Sequence, residues 1–325
     1  MPERSVRDQL VKYLADAHSI EEQALQQLRS APDIAGDPEL SEAFRQHLDE
    51  TERHERLVRE RLDAMGESPS KMKDLLMRAG GAGFLLFAQS QPDTPGKLAA
   101  HAYSYEHMEL AAYELLAKVA ERAGDEETVR IAEEIRSEEE AMAKRLDGLF
   151  DQAVEASLRD VDPSDLGEQL NKYLADAHSI EAQAVQLLEK GPDLAGDAEL
   201  ARLYSEHLEQ TREQQRLVDE RLDARGGDAS TLKDMAMRAG ALNWGMFFQT
   251  HPDTPGKLAC FAYAFEHLEI AAYEELERVA ERVGDQETVR TAQRIRAEEQ
   301  GAADKLKSNF DRAVEASLQE VGVAG

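Results

Sequence analysis

The sequence predicts an all-α protein made of two tandem antiparallel four-helix bundles. Apolar residues recur every three or four positions along most of the chain, which is typical of amphipathic helices, and no segment alternates as a strand does. Residues 13–21 and 173–181 both read YLADAHSIE, and the same offset relates DTPGKLA at 93–99 to 253–259. The chain therefore contains one unit twice.

Each unit has the length of a domain rather than of a solenoid repeat. We expect a first repeat at residues 1–160 and a second at 161–325, joined near residues 161–164. Fused units of this kind favour an intramolecular pseudo-dimer, with which further self-association is compatible.

Turn residues divide the first repeat into helices. Pro32, Gly36 and Pro38 break the chain, and Gly124 with Asp125 separates two long periodic segments. The predicted helices are residues 10–28, 37–65, 97–123 and 126–149, with a short helix at 72–79 and a Gly-rich apolar stretch at 80–87. The long second connection leaves room for a crossover, so we expect a ferritin-like topology.

Composition excludes several classes of function. A net charge of −28 repels nucleic acid and anionic membranes, and 42% hydrophobic residues suffice for well-formed cores. The first residues lack the apolar core of a secretory signal, and no apolar run reaches a membrane-spanning length, so a cytoplasmic protein is expected. The single cysteine, Cys260, rules out an internal disulfide and is expected to be a small buried residue.

Carboxylates lie on the apolar faces of the predicted helices. At about 100° per residue, Glu21 falls within the apolar stripe of the first helix and Glu139 within that of the fourth. The third helix turns Glu106 and Glu109 inward as an i, i+3 pair. The second helix adds His47, with Glu50 at the edge of its stripe. Acids and a histidine from four helices thus converge.

Buried carboxylates need a cation, because an isolated ionised carboxylate in a core costs several kcal/mol. Oxygen ligands with one or two imidazoles suit iron or manganese better than copper or a structural zinc, and helix bundles of this construction hold di-iron or di-manganese centres. We favour a di-iron centre, with manganese or zinc as alternatives. A single inward glutamate is more often a flank residue, but the pattern recurs in the second repeat. The predicted metal ligands are Glu21, His47, Glu50, Glu106, Glu109, Glu139, Glu181, His207, Glu266, Glu269 and Glu299.

Other residues near these positions receive less specific predictions. His18 and His178 lie one turn before a predicted ligand, and we favour a hydrogen-bonding role for them. Tyr113 and Tyr273 lie four residues after the central glutamate and are expected to be core tyrosines. His107 and His267 wind to the outer face of the bundle and are expected at the surface.

Four segments carry a family resemblance: DAHSIE at 16–21, HLDET at 47–51, EHMELAAY at 106–113 and EEE at 138–140. They resemble the signature segments of the YciF/YciE family, a branch of the ferritin-like superfamily. The resemblance implies that each four-helix bundle has an extra short C-terminal helix, for which residues 149–158 are available in the first repeat. It also implies dimers of bundles, a rubrerythrin-like metal centre and an association with stress. It implies no established reaction.

The sequence also departs from symmetry and from a complete rubrerythrin. Gln210 and Gln214 replace Glu50 and His54, so the two centres are expected to be unequal, with tighter binding in the first repeat. No paired cysteines of a rubredoxin domain are present. Three functions stay open: a di-iron oxidoreductase using oxygen or peroxide, which we favour; a protein that sequesters iron without turnover; and a structural stress protein with vestigial acids.

Overall fold

The computed structural model describes residues 5–66, 94–226 and 254–323, all of it helix, turn or irregular chain without strands. The first repeat contains α1 (Val6–Leu28), α2 (Ala31–Ile34), α3 (Pro38–Ala64), α4 (Pro95–Ala123), α5 (Glu126–Asp147) and α6 (Phe150–Leu158). The second contains α7 (Leu166–Leu188), α8 (Gly191–Leu194), α9 (Ala198–Ala224), α10 (Thr254–Val283), α11 (Gln286–Lys307) and α12 (Phe310–Glu320).

Capping residues explain where the long helices begin. The Asp37 carboxylate accepts hydrogen bonds from the amides of Glu39 and Leu40 at the start of α3. Thr94 caps α4 through the amide of Lys97. Gly124, which ends α4, has a φ of 67°, a left-handed conformation in which a side chain would be strained. The residues predicted to separate the helices therefore cap or end them in the structure.

The four long helices of each repeat form a bundle in which α1 packs on α3 and α4, and α5 packs on α3 and α4. The predicted all-α fold and tandem bundles are confirmed. A short turn of helix, α2, occupies the connection where we predicted only a break. The helix predicted at 72–79 and the stretch at 80–87 lie outside the described residues.

The two repeats pack against each other through α4 and α10. Ser104 donates a hydrogen bond to the carbonyl of Ala264, its equivalent in the second repeat, with an Oγ to O distance of 2.6 Å. Buried Cys260 lies on the same interface, with Sγ 3.4 Å from the carbonyl of Met108. Contacts between equivalent positions are those of a pseudo-twofold axis.

His107 and His267 correct one prediction, because both are buried rather than at the surface. Their rings stack on one another with centroids 3.5 Å apart. Each Nδ1 lies within hydrogen-bonding distance of a carbonyl one turn earlier, that of Tyr103 or Tyr263. The helical winding was predicted correctly, but the outer face of one bundle is covered by the other.

Ion pairs at the edge of the interface repeat the same symmetry. Lys118 pairs with Asp311 at 3.1 Å, and the equivalent residues Arg278 and Asp151 pair at 2.7 Å. Within the described ranges, no helix combines the length and the apolarity needed to cross a membrane.

Candidate metal centre

Three helices of the first bundle bring four predicted residues together. His47 comes from α3, Glu106 and Glu109 from α4, and Glu139 from α5, and one ligand atom of each lies within 4.8 Å of the others. The Nε2 atom of His47 is 3.2 Å from a Glu106 oxygen and 3.3 Å from a Glu139 oxygen. All four side chains are buried. This first group is a compact set of one imidazole and three carboxylates.

A second group in the same bundle consists of Glu21, His54 and Glu139. His54 Nδ1 is 2.7 Å from a Glu139 oxygen, and the opposite ring nitrogen is 2.8 Å from Glu138. Tyr113 donates a short hydrogen bond to Glu21. Because both groups contain Glu139, the first repeat has two adjacent positions for a cation that share one carboxylate.

Glu50, a predicted ligand, lies behind the first group instead of within it, and His18 and His178 contact other carboxylates. Glu50 is about half exposed, with 46% of its side chain accessible, and contacts His47 at Nδ1 over 3.2 Å. His18 contacts Glu55 at 3.0 Å, and His178 contacts Asp219 at 3.1 Å. Glu50 is therefore placed to orient the His47 ring, whose Nε2 faces the group.

Burial raises the pKa of three inward carboxyls, whereas the His47 and His54 rings outweigh burial at Glu139 and hold its pKa below the ordinary value. The pKa of Glu21 rises to about 8 and that of Glu106 to about 7, and the pKa of Glu109 lies well above its ordinary value. Burial would lower the pKa of His54, but hydrogen bonding and charge from Glu139 outweigh it and raise that pKa to about 9. Without a cation, the group therefore retains protons that a metal ion would displace.

The oxygens of these groups are poorly satisfied by the protein itself. Among the described residues, both carboxylate oxygens of Glu109 and one oxygen of Glu21 lack a hydrogen-bond partner. The oxygens of Glu106 and Glu139 lie near ring nitrogens of His47 and His54, which are themselves candidate ligands. Buried polar atoms without partners are costly, and several converging on one point fit a bound cation. Oxygen with imidazole nitrogen is also a donor set that iron, manganese and zinc accept.

The second repeat reproduces only the first of the two groups. His207, Glu266, Glu269 and Glu299 are buried and lie within 4.8 Å of one another by one ligand atom each. Glu181 is also buried and accepts a hydrogen bond from Tyr273. Gln214 stands where the first repeat has His54 and donates to Glu298 over 3.1 Å. The second centre thus keeps its acids but lacks the second imidazole.

Sequence reasoning missed His54 as a candidate ligand. It follows His47 by seven residues, which places both rings on one face of α3 two turns apart. The buried stripe of α3 includes both histidines, and this spacing could have identified His54.

Comparisons with known proteins identify the family of the chain. The model of the family described as domain of unknown function DUF892 matches the chain twice, at residues 5–159 and 165–319. Protein YciF of Escherichia coli (strain K12) is 30% identical over 154 residues, which are 45% of this chain and 90% of that protein. No solved structure shows a significant match. The resemblance to the YciF/YciE family is thus confirmed, and the chain belongs to the DUF892 family, with two copies of its domain.

Proposed function

We propose that the protein is a metal-dependent oxidoreductase with a di-iron centre in its first repeat and a related, weaker centre in its second. The observation that carries this proposal is the shared Glu139, which joins two ligand groups in one bundle. A carboxylate common to two adjacent cation positions is the arrangement expected of a bridged dinuclear centre in a helix bundle. Manganese or zinc would fit the same donors.

His47, Glu106, Glu109 and Glu139 would hold one ion, and Glu21, His54 and Glu139 the other. When bound, a reduced iron pair supplies electrons to oxygen or peroxide. The protein orients the donors: Glu50 contacts the rear of the His47 ring, and Glu138 contacts that of His54. Tyr113 fixes Glu21 by a hydrogen bond. The burial of all these ligands limits access of water to the centre.

Stoichiometry tests the binding half of the proposal. One ion per group gives three per chain, two in the first repeat and one in the second. Elemental analysis after anaerobic loading with Fe²⁺ and removal of loose ions measures this number. A chain that retained no iron would overturn the proposal.

The substitution Glu109→Gln tests the site and the reaction together. It keeps the volume of the side chain but removes one negative charge from the first group, so the bundle should stay folded while the first repeat loses affinity for iron. Oxygen or peroxide consumption by Fe²⁺-loaded protein should fall, and should nearly vanish when Glu269→Gln is added. Circular dichroism checks folding.

Glu121→Gln is the matched control, because Glu121 is exposed on the same helix. It should leave iron content and consumption unchanged. A folded Glu109→Gln/Glu269→Gln chain that still consumed oxidant like the parent would place the oxidation elsewhere. If the parent bound iron but showed no catalytic consumption, sequestration without turnover would replace the oxidoreductase. The stress association implied by the family resemblance suits either role.

A further inference from the structure

An opening between α9 and α11 leads from the surface to the second centre. It is a cavity of about 20 Å³, enough for one water-sized group, and it reaches His207 and Glu266. Ala302 and Leu306 line its α11 side, and Leu203, Tyr204 and Gln210 line its α9 side. We call this cavity the α9–α11 opening. It connects a ligand pair of the second centre with the protein exterior at Glu206 and Lys305.

A wider surface cavity of about 450 Å³ lies at the mouth of this opening and shares Leu203, Glu206 and Lys305 with it. Its charged lining residues are Glu199, Arg202, Glu206, Asp304 and Lys305, a net charge of −1. The equivalent residues of the first repeat, Glu39, Glu42, Gln46, Lys144 and Arg145, sum to zero. A negative mouth raises the local concentration of cations.

The imidazole at the inner end of the opening is incompletely partnered. His207 is 7% exposed, and its Nδ1 has no hydrogen-bond partner among the described residues. In the first repeat, the equivalent His47 Nδ1 lies 3.2 Å from Glu50. Gln210, which replaces Glu50, lines the opening and does not bond to His207 Nδ1 within the described part of the chain. A buried imidazole with an unpartnered Nδ1 among the described residues therefore lines a route to solvent.

The equivalent region of the first repeat has a larger side chain and a hydrogen bond between the two helices. Met142, a larger side chain that is 4% exposed, stands at the position of Ala302. Gln46 on α3 accepts a hydrogen bond of 2.6 Å from Arg145 on α5, and this bond spans the two helices above the centre. In the second repeat, the equivalent Glu206 pairs instead with Arg202 on its own helix. The bridge between helices is replaced by a bond along one helix.

We propose that the second centre exchanges its divalent cation with solvent through the α9–α11 opening, whereas Met142 and the Gln46–Arg145 bond close the equivalent path in the first repeat. This inference rests on the proposed metal centres. The first repeat has a cavity of its own, about 30 Å³ between α1 and α4, which reaches Glu106 but is not lined by His47. The α9–α11 opening reaches a histidine and a glutamate together, so we expect the second centre to exchange its metal faster than the first.

Release of Co²⁺ measures this difference without reference to activity. The full chain is loaded with Co²⁺ and mixed with the chromophoric chelator pyridylazoresorcinol in a stopped-flow instrument. Two phases of release are expected. Glu269→Gln should remove the fast phase, whereas Glu109→Gln should lower the amplitude of the slow phase, to which the ion held by Glu21, His54 and Glu139 still contributes, and this assigns each phase to a repeat.

Exchanging the residues between repeats then tests the opening itself. Ala302→Met should slow the fast phase about tenfold, and Met142→Ala should accelerate the slow phase about tenfold, as modest changes in a barrier would produce. Ala297→Met, the same substitution on the exposed face of α11, should change neither phase. If Met142→Ala does not fold, Gln46→Ala removes the bridge at an exposed position without touching the core and should also accelerate the slow phase.

The outcomes separate this inference from the proposed function. Exchange rates unaffected by both Ala302→Met and the opening variants of the first repeat would overturn the inference while leaving metal binding intact. Loss of the fast phase in Glu109→Gln would also overturn it, because the first centre would then be the exchangeable one. A chain that retained no Co²⁺ at either centre would overturn the proposed function and the inference together.

Discussion

His107 and His267 show how a residue acquires its property from its surroundings. Burial lowers the pKa of His107 to about 4 and that of His267 well below its ordinary value, and the neighbouring ring and Lys307 act in the same direction. Both rings are therefore neutral at physiological pH. Each ring donates its Nδ1–H to a carbonyl, that of Tyr103 or Tyr263. Because both rings are neutral, they stack without the repulsion that two positive charges would cause.

This pair predicts a pH dependence of stability. The unfolded chain binds protons on these histidines below a pH of about 6.5, whereas the folded chain resists them down to about 4 at His107, so stability falls as the pH falls through this window. For His107 alone the loss is of order 3 kcal/mol. The variant His107→Phe/His267→Phe keeps two stacked rings and should lose less stability between pH 7 and 4 than the parent, as measured by urea denaturation. Parallel losses in both proteins would contradict the prediction.

The ligands themselves could be predicted residue by residue to different degrees. Glu109 and Glu139 were recognisable because a carboxylate in the middle of an apolar stripe conflicts with its surroundings and the conflict recurs in both repeats. Glu50 lies at the edge of its stripe, where helical winding alone does not distinguish a ligand from a residue behind one. His54 was missed because a buried histidine needs no metal to explain it. The distances between side chains on different helices place His54 among the candidate ligands and Glu50 behind the His47 ring.

His54 also predicts unequal affinities. His54→Gln gives the first repeat the residue of the second, and Gln214→His does the reverse, so the first change should weaken binding of Fe²⁺ or Co²⁺ by about tenfold or more and the second should strengthen it. Competition titrations of chains with the other centre disabled by Glu269→Gln or Glu109→Gln measure each affinity. Equal affinities of the two parental centres would show that the second imidazole is not a ligand.

The first turns of α5 and α11 are equivalent in the two repeats, but their capping aspartates form different numbers of ion pairs. Asp125 caps α5 and pairs with Arg61. Asp285 caps α11 and pairs with both Arg221, at 2.9 Å, and Arg225, at 2.7 Å. The first repeat has Met65 in place of Arg225. These bonds lower the pKa of Asp285 to about 2 against the cost of burial.

Removal of these caps should therefore have unequal costs. Asp125→Ala should destabilise the start of α5 by about 1 kcal/mol, and Asp285→Ala should cost up to about 1 kcal/mol more at α11. Hydrogen exchange of the first helical turns measures both effects. The Asp285 contribution should persist above pH 3.8 and disappear as the pH falls towards 2, because its folded pKa is the lower one. Equal exchange in the two variants would rule out a role for Arg225.

Helix boundaries were predictable where the chain carries explicit signals. Asp37, Thr94 and Gly124 cap helices within one or two residues of the predicted ends. The burial of His107 could not be predicted in this way. The periodicity of one helix defines which face points away from its own bundle, but not what covers that face. Packing of α4 on α10 is a long-range contact that the duplication suggested only in general terms.

For the whole molecule, metal should contribute directly to stability. Binding to the folded bundle alone adds about 2.7 kcal/mol at a hundredfold excess over the Kd. Treatment with a chelator should therefore lower the melting temperature at neutral pH, and reloading with Fe²⁺ under anaerobic conditions should restore it. Calorimetry of samples with verified metal content measures the shift. Identical melting with and without metal would argue against cation binding by the inward carboxylates.

Fusion of the two bundles has a genetic consequence. In a homodimer, any substitution appears in both subunits, so a change that opens or weakens one centre changes its twin as well. In this chain each bundle is encoded by its own half of the gene, so a substitution changes one bundle alone. The two halves can therefore differ at equivalent positions while they keep the shared interface, as they do at His54 and Gln214, Met142 and Ala302, and Gln46 and Glu206. Each half can therefore mutate on its own, and the duplicated gene can evolve a specialised copy without ever producing a mismatched pair of subunits.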